Sequence, residues 1–294
     1  MKKLALLVGS LVLLTGCSSG DAGGTSSSAT NDTPANNTAS ETPANNDTTP
    51  ASSKLVVGAS PAPHAEILEF VKPVLAESGI ELIIEEFTDY VLPNLAVEDG
   101  DLDANFFQHV PYLTNFNENN QTDIVSVGMV HFEPLGIYAG KSTSIADLQK
   151  GGAEIAIPND TTNEARALAL LESLGIIVLD PEVGLEATPN DIIDNPYNIT
   201  FVEIEAAQVP RIIQEVDFGI ANGNYALDGG IADLILATED KNSEFAILYA
   251  NIVATHSSNK DNAAIQYLVD ALQSDDVADF INDNYNGIVL PMGN

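Results

Sequence analysis

An α/β fold is what this sequence predicts, and two observations carry the prediction. From Lys54 onward, short runs rich in β-branched and apolar residues alternate with stretches of helical periodicity. Strands interleaved with helices imply parallel or mixed sheets covered on both faces. The chain after residue 53 is also long enough for two modest lobes or one large domain.

The elements can be taken in order. Lys2 and Lys3 precede an apolar run from Leu4 to Leu14, which is followed by Thr15-Gly16-Cys17. That order reads as a secretion signal. The run is shorter than the roughly 18 residues that span a bilayer, so residues 1–16 are expected to be cleaved. The end of the segment resembles the lipobox of bacterial lipoprotein precursors. The resemblance implies that Cys17 becomes the lipid-modified (palmitate-bearing) first residue, anchoring the chain on the extracytoplasmic face of the cell membrane. Cys17 is the single cysteine of the sequence, so no intrachain disulfide is possible. Residues 18–53 hold Gly, Ser, Thr, Asn, Ala and Pro with no Val, Ile, Leu, Met or aromatic residue. Such a segment has nothing to bury and reads as a disordered tether with a typical span of roughly 30 to 36 Å.

Within the body, strands are expected at residues 55–59, 81–85, 124–127, 135–139, 154–157, 199–204, 218–221 and 247–253, with a helix over 65–78. No internal repeat stands out, and no Gly-x-Gly-x-x-Gly follows the first strand. The chain carries 43 acidic against 10 basic residues, a net charge of −33. Nucleic acid and anionic lipid surfaces are therefore poor partners for the body.

Ligands of open α/β sheets sit beyond the carboxyl ends of strands, so the segments following each strand matter most. Thr161 and Glu164 form a capping-box pattern, which predicts that the helix running to Leu174 starts at Thr161. A helix N-terminus suits a carboxylate. Asn163 and Arg166 share one face of its first turn, and Arg166 suits either a bidentate ligand carboxylate or a surface pair with Glu164 or Asp160. Asn222 follows the strand at 218–221, and Asn222-Gly223 is also a turn signal in its own right.

Several blocks together resemble one family. They are Phe87-Thr88-Asp89-Tyr90-Val91-Leu92-Pro93-Asn94, then Asp101-Leu102-Asp103-Ala104-Asn105-Phe106-Phe107-Gln108-His109-Val110-Pro111-Tyr112, Val127 to Gly136, Ile157 to Leu168, Val202 to Arg211, and Asn222-Gly223-Asn224-Tyr225. Their order and spacing are similar to those of the methionine-binding lipoproteins of the MetQ/NlpA family, the substrate-binding components of an ABC importer. Thr162 stands where that family usually has Pro, and Ala165 where Gly is common.

The resemblance implies a two-lobed periplasmic-binding-protein-like fold with the ligand in the interlobe cleft. Residues 54–138 plus 247–294 would form one lobe, and residues 139–246 the other. It further implies a methionine carrier, L-methionine first, handing its ligand to a permease and its ATPase, with no cofactor. Tyr90, Phe107, His109, Tyr112 and His131 would wall the thioether, with Tyr225 beside them. Arg166, Asn163 and Asn222 would hold the amino-acid end, with Asn163, Asn222 and Glu205 open as acceptors for the ammonium. L- against D-methionine stays open, because small differences in a ligand give small differences in affinity.

Two other functional classes have some footing in the sequence. His64, His109, His131 and Glu133 could ligate zinc or manganese in a metal-transport lipoprotein, although no His-rich loop or His-x-His pair accompanies them. An enzyme is disfavoured: no Gly-x-Ser-x-Gly, His-Glu-x-x-His or phosphate-cradling loop is present.

Overall fold

A computed structural model of the chain describes residues 53–242 and 245–292. The signal peptide, Cys17 and residues 18–52 of the tether lie outside the described residues, whereas Ser53, expected to end the tether, opens the first strand opposite Ile80. Among the described residues, no helix is long and apolar enough to cross a membrane.

The chain begins with β1 (Ser53–Ala59), α1 (Glu66–Glu77), β2 (Ile80–Glu86), α2 (Leu92–Asp99), β3 (Ala104–His109), α3 (Val110–Asn120) and β4 (Ile124–Phe132). It then crosses to a second sheet through residues 133–135. There it forms β5 (Gly136–Ala139), β6 (Glu154–Pro158), α4 (Thr161–Ser173), a small pair β7 (Val178–Leu179) and β8 (Ile192–Asp194), β9 (Thr200–Ile204), α5 (Val209–Ile212), β10 (Phe218–Ala221), α6 (Gly223–Asp228) and β11 (Ile235–Thr238). After α7 (Phe245–Leu248) it returns to the first sheet as β12 (Ala250–His256), α8 (Ala263–Leu272), α9 (Asp275–Asn284) and β13 (Leu290–Pro291).

The first sheet has the order β13-β4-β12-β3-β1-β2, and the second β11-β5-β10-β6-β9. Both are mixed, as interleaved strands and helices require. β1 runs parallel to β2 and β3, whereas β12 is antiparallel to β3 and β4. In the second sheet β6 runs parallel to β9 and β10, and β5 is antiparallel to β10 and β11. Each sheet is covered on both faces. Leu68, Val71 and Leu75 of α1 pack with Ile265 and Leu268 of α8 and Ile281 of α9 on one side of the first sheet, and Val97 and Leu113 from α2 and α3 pack on the other. The second sheet is covered by Ala167, Leu168 and Leu171 of α4 on one face, and by Val209 and Ala226 on the other. Burying one such aliphatic side chain stabilises the fold by roughly 1.5–3 kcal/mol before entropy is counted.

Three readings of the sequence change. A lobe exchange after Tyr138 would cut through β5, whose four residues all pair in the second sheet, so the sheets put the exchange at 133–135. The strand expected from residue 247 begins at Ala250, because Phe245–Leu248 closes one helical turn first. The helix after β6 does start at Thr161, but its cap is Asp160, whose carboxylate accepts from the Asn163 amide. Glu164 does not complete the capping box.

Candidate functional site

The carboxyl ends of β3, β4, β6 and β10 point at one cleft, with the two chain crossings beside it. A small hollow there is lined by Tyr90, Phe107, Gln108, His109, Tyr112, Glu133, Asn163, Arg166, Asn222, Asn224 and Asn251. Seven of the nine residues expected to bind ligand are in that lining: Tyr90, Phe107, His109, Tyr112, Asn163, Arg166 and Asn222.

The other two lie one layer back. His131 is fully buried at the end of β4, and its Nε2 donates to Glu133 Oε1 at 2.8 Å, so it supports a wall residue instead of being one. Tyr225 packs behind Tyr90, with ring centroids 4.7 Å apart, and lines a separate hollow with Thr88 and Pro210. Glu205, one of the three candidates for the ammonium, is exposed and does not line the cleft. Conversely, Glu133, Gln108, Asn224 and Asn251 line it without having been expected there. Glu133 carries no signal in so acidic a sequence except its place beside a His-x-Glu-Pro turn.

The aromatic side is built by α2's approach, β3 and α3. Tyr90 stands 5.6 Å from both Phe107 and Tyr112, and the Tyr112 hydroxyl donates to the Tyr90 carbonyl. His109 ends β3 and caps α3, its Nδ1 accepting from the Tyr112 amide. Its other nitrogen, Nε2, therefore carries the proton and donates to Asn163 Oδ1 at 3.3 Å. Burial, with the Arg166 charge, pushes the ring down to about 3, so it is neutral.

On the polar side, Asp160 holds Asn163. Both carboxylate oxygens accept from Asn163 Nδ2, which turns Asn163 Oδ1 toward Asn222 Nδ2 and His109. Asn222 Oδ1 is left buried with no hydrogen-bond partner among the described residues. The Asn-Gly pair makes no hairpin turn. Asn222 instead sits at the N-cap position of α6 with an extended backbone.

Arg166 is committed to the crossings. Its Nε and Nη2 donate to Glu239, its Nη2 also donates to the Glu133 carbonyl, and its guanidinium lies 4.3 Å from the Tyr249 ring centre. The surface pair with Glu164 or Asp160 is replaced by this buried one. Contacts join the lobes across the cleft: Tyr90 donates to Asn224 Oδ1 at 2.6 Å, and Glu133 Oε2 accepts from the Asn224 amide at 2.7 Å.

Of the four candidate metal ligands, three come together and His109 does not. His64, His131 and Glu133 offer ligand atoms within 4.8 Å of one another, but His109 belongs to the Asn163 network. His64 Nε2 lies 3.0 Å from Asn251 Oδ1 and 3.4 Å from Glu133 Oε1, and the His64 and His131 rings each have a buried Nδ1 without a partner among the described residues. A metal on Nε2 would move each ring proton to Nδ1, leaving two buried donors unsatisfied, whereas Nε2–H tautomers satisfy every donor. The trio fits hydrogen bonding to Glu133 better than it fits a cation.

Comparison with known proteins agrees with this geometry. The family model described as NlpA lipoprotein matches residues 55–293. The chain belongs to the NlpA lipoprotein family. Among curated members, it is 41% identical to membrane lipoprotein TpN32 of Treponema pallidum, covering 79% of this chain and 85% of that one. It is 38% identical to the methionine-binding lipoprotein MetQ of Bacillus subtilis, over 81% of this chain and 88% of the relative. Among solved structures, a lipoprotein from Ruminococcus gnavus matches with a TM-score of 0.79 at 49% identity, covering 81% of this chain and 99% of that one. A nutrient-binding protein from Burkholderia cenocepacia bound to methionine matches with a TM-score of 0.75 at 38% identity, covering 81% and 100%. The expected family and the two-lobed, ligand-binding α/β fold both hold.

Proposed function

We propose that this protein is the lipid-anchored substrate-binding component of an ABC importer and that it captures methionine, L-methionine first. The observation that carries the reading is the two-sided cleft: three rings on one side, and on the other a guanidinium and two asparagines fixed by a network. Sulfur against an aromatic edge gains about 0.3–1.5 kcal/mol per contact, which favours a thioether over a plain aliphatic chain. Tyr90, Phe107 and Tyr112 supply those edges. Arg166, its Nε edge occupied by Glu239, offers its remaining N–H groups to the ligand carboxylate at a site where charge is already balanced. The methionine-bound relative at 38% identity supports the same assignment.

In this reading the tether from Cys17 holds the body off the membrane, and the lobes close by a hinge at 133–135 and near Glu239 and Tyr249 before docking on the permease. The role is binding and delivery, without catalysis. Mass spectrometry of protein purified without unfolding tests it. Methionine released on denaturation, with its configuration read on a chiral column, is the expected result. Release of a different small molecule, or of zinc, overturns it.

A further inference from the structure

The first turn of α4 carries a buried acid that the cleft does not use. Glu164 follows Asn163 directly and does not line the hollow. It is 6% exposed, and its carboxyl is in hydrogen-bond contact with that of Glu203, an exposed residue of β9 that pairs with Ile157 of β6. Carboxylates only accept, so such a contact is a hydrogen bond only when one of the two holds a proton. Glu164 Oε1 is buried and has no other partner among the described residues.

The surroundings offer the pair no counter-charge. Glu203 and Asp160 bear on Glu164 most strongly, and both are acids. Glu118 of α3 and Glu186 of the 184–186 turn line a hollow beside Thr162 and add negative charge, while Glu154 sits at the far end of β6. Arg166, the cation of the same helix, is turned to Glu239. A metal ion fits worse than a proton, because Ca²⁺ takes about six to eight oxygens. Asp160, the next carboxylate, is already committed to Asn163 and Thr162. Burial first, then the contact with Glu203 and the charges of Glu203 and Asp160, push the Glu164 carboxyl up to about 7.

We propose that Glu164 and Glu203 share one proton, and that this proton holds the first turn of α4 against β9 and so positions Asn163 in the cleft. For its effect on binding the inference rests on the methionine reading; the shared proton itself does not. When the pair ionises, two adjacent carboxylates repel and the turn moves off β9. Asn163 is then carried out of line with Asn222 and His109. By linkage, methionine binding at about pH 7.5 takes up part of a proton, and affinity falls roughly threefold to tenfold between about pH 6 and 8.

Two measurements test this. In the ligand-free protein, ¹³C NMR of the glutamate carboxyls is expected to show one carboxyl titrating near pH 7 that is lost in Glu164→Gln. Calorimetric titration with L-methionine, in buffers of different ionisation enthalpy, is expected to show proton uptake at about pH 7.5 and none at about pH 5.5. In Glu203→Gln the amide donates to Glu164 without a titrating proton, so uptake should vanish while affinity at about pH 5.5 stays within about threefold of wild type. The absence of any glutamate titrating above about pH 6 overturns the shared proton, as does a titration that calcium shifts at constant ionic strength. Proton uptake unchanged in Glu203→Gln overturns the link to the cleft. A wild type whose carboxyl titrates near pH 7 but which binds no methionine overturns the methionine reading and the positioning role, while the shared proton stands.

Discussion

Arg166 and Glu239 meet through two hydrogen bonds, Nε to Oε1 at 2.7 Å and Nη2 to Oε2 at 2.6 Å, and that pair ties helix α4 to the second crossing between the lobes. Glu239 Oε2 also accepts from the Leu135 amide in the first crossing, so both crossings and the second lobe meet at one carboxylate. The guanidinium is therefore part of the hinge as well as part of the cleft.

From this it follows that Arg166→Ala removes more than a ligand contact. It leaves Glu239 without a counter-charge, for which a loss of about 3–5 kcal/mol is expected in chemical unfolding. The double variant Arg166→Ala with Glu239→Ala should recover part of that loss. Additive losses in the double variant would show that the pair is not coupled.

Tyr90 holds the cleft shut through its hydroxyl as well as lining it with its ring. Tyr90→Phe deletes the bond to Asn224 Oδ1 and should weaken methionine about 2- to 10-fold, with the free protein more open in small-angle X-ray scattering. Tyr90→Ala also deletes the ring and should cost at least a further tenfold in titration. Equal affinities for the phenylalanine variant and wild type would remove the hydroxyl from the closure.

Residue 223 has no room for a side chain. A Cβ would meet Glu133 Oε2 at 2.9 Å, Glu133 Cβ at 3.2 Å and the Ile288 carbonyl at 3.3 Å. Glu133 is pinned by its bonds and cannot yield cheaply. Gly223→Ala should destabilise the fold by about 1–3 kcal/mol and weaken methionine roughly tenfold by pushing α6 off Glu133. Unchanged melting and titration would contradict that packing.

Acid should unfold the protein partly through its buried histidines. Burial, chiefly, pushes His64 down to about 4 and His109 to about 3 from 6.5. Between about pH 6.5 and 4 the unfolded chain binds protons that the folded rings refuse, so stability is full above 6.5 and falls as pH drops through that window. The loss for His64 alone is on the order of 3 kcal/mol. His64→Gln should flatten the melting temperature profile between pH 6.5 and 4 relative to wild type; parallel profiles would mean that His64 is not held neutral.

Much of the fold was legible where burial and apolarity coincide. The strand at Phe218–Ala221 is apolar, buried throughout and bounded as expected. β3 was hidden because its six buried residues include Asn105, Gln108 and His109, a composition that does not read as a core strand. Asn94, Asn105 and Gln108 satisfy one another inside the first lobe, which is how a polar strand can be buried. Seven lining residues were legible through family resemblance. Glu133 was legible only as a candidate metal ligand beside His131, and its place in the cleft lining emerges once its burial is known.

The most direct measurement is isothermal titration of ligand-stripped protein with L-methionine, with D-methionine and zinc run in parallel. The account predicts saturable one-to-one binding of L-methionine with a negative heat-capacity change from burial of the thioether against Tyr90, Phe107 and Tyr112. No heat with either isomer, together with tight zinc binding, would contradict it.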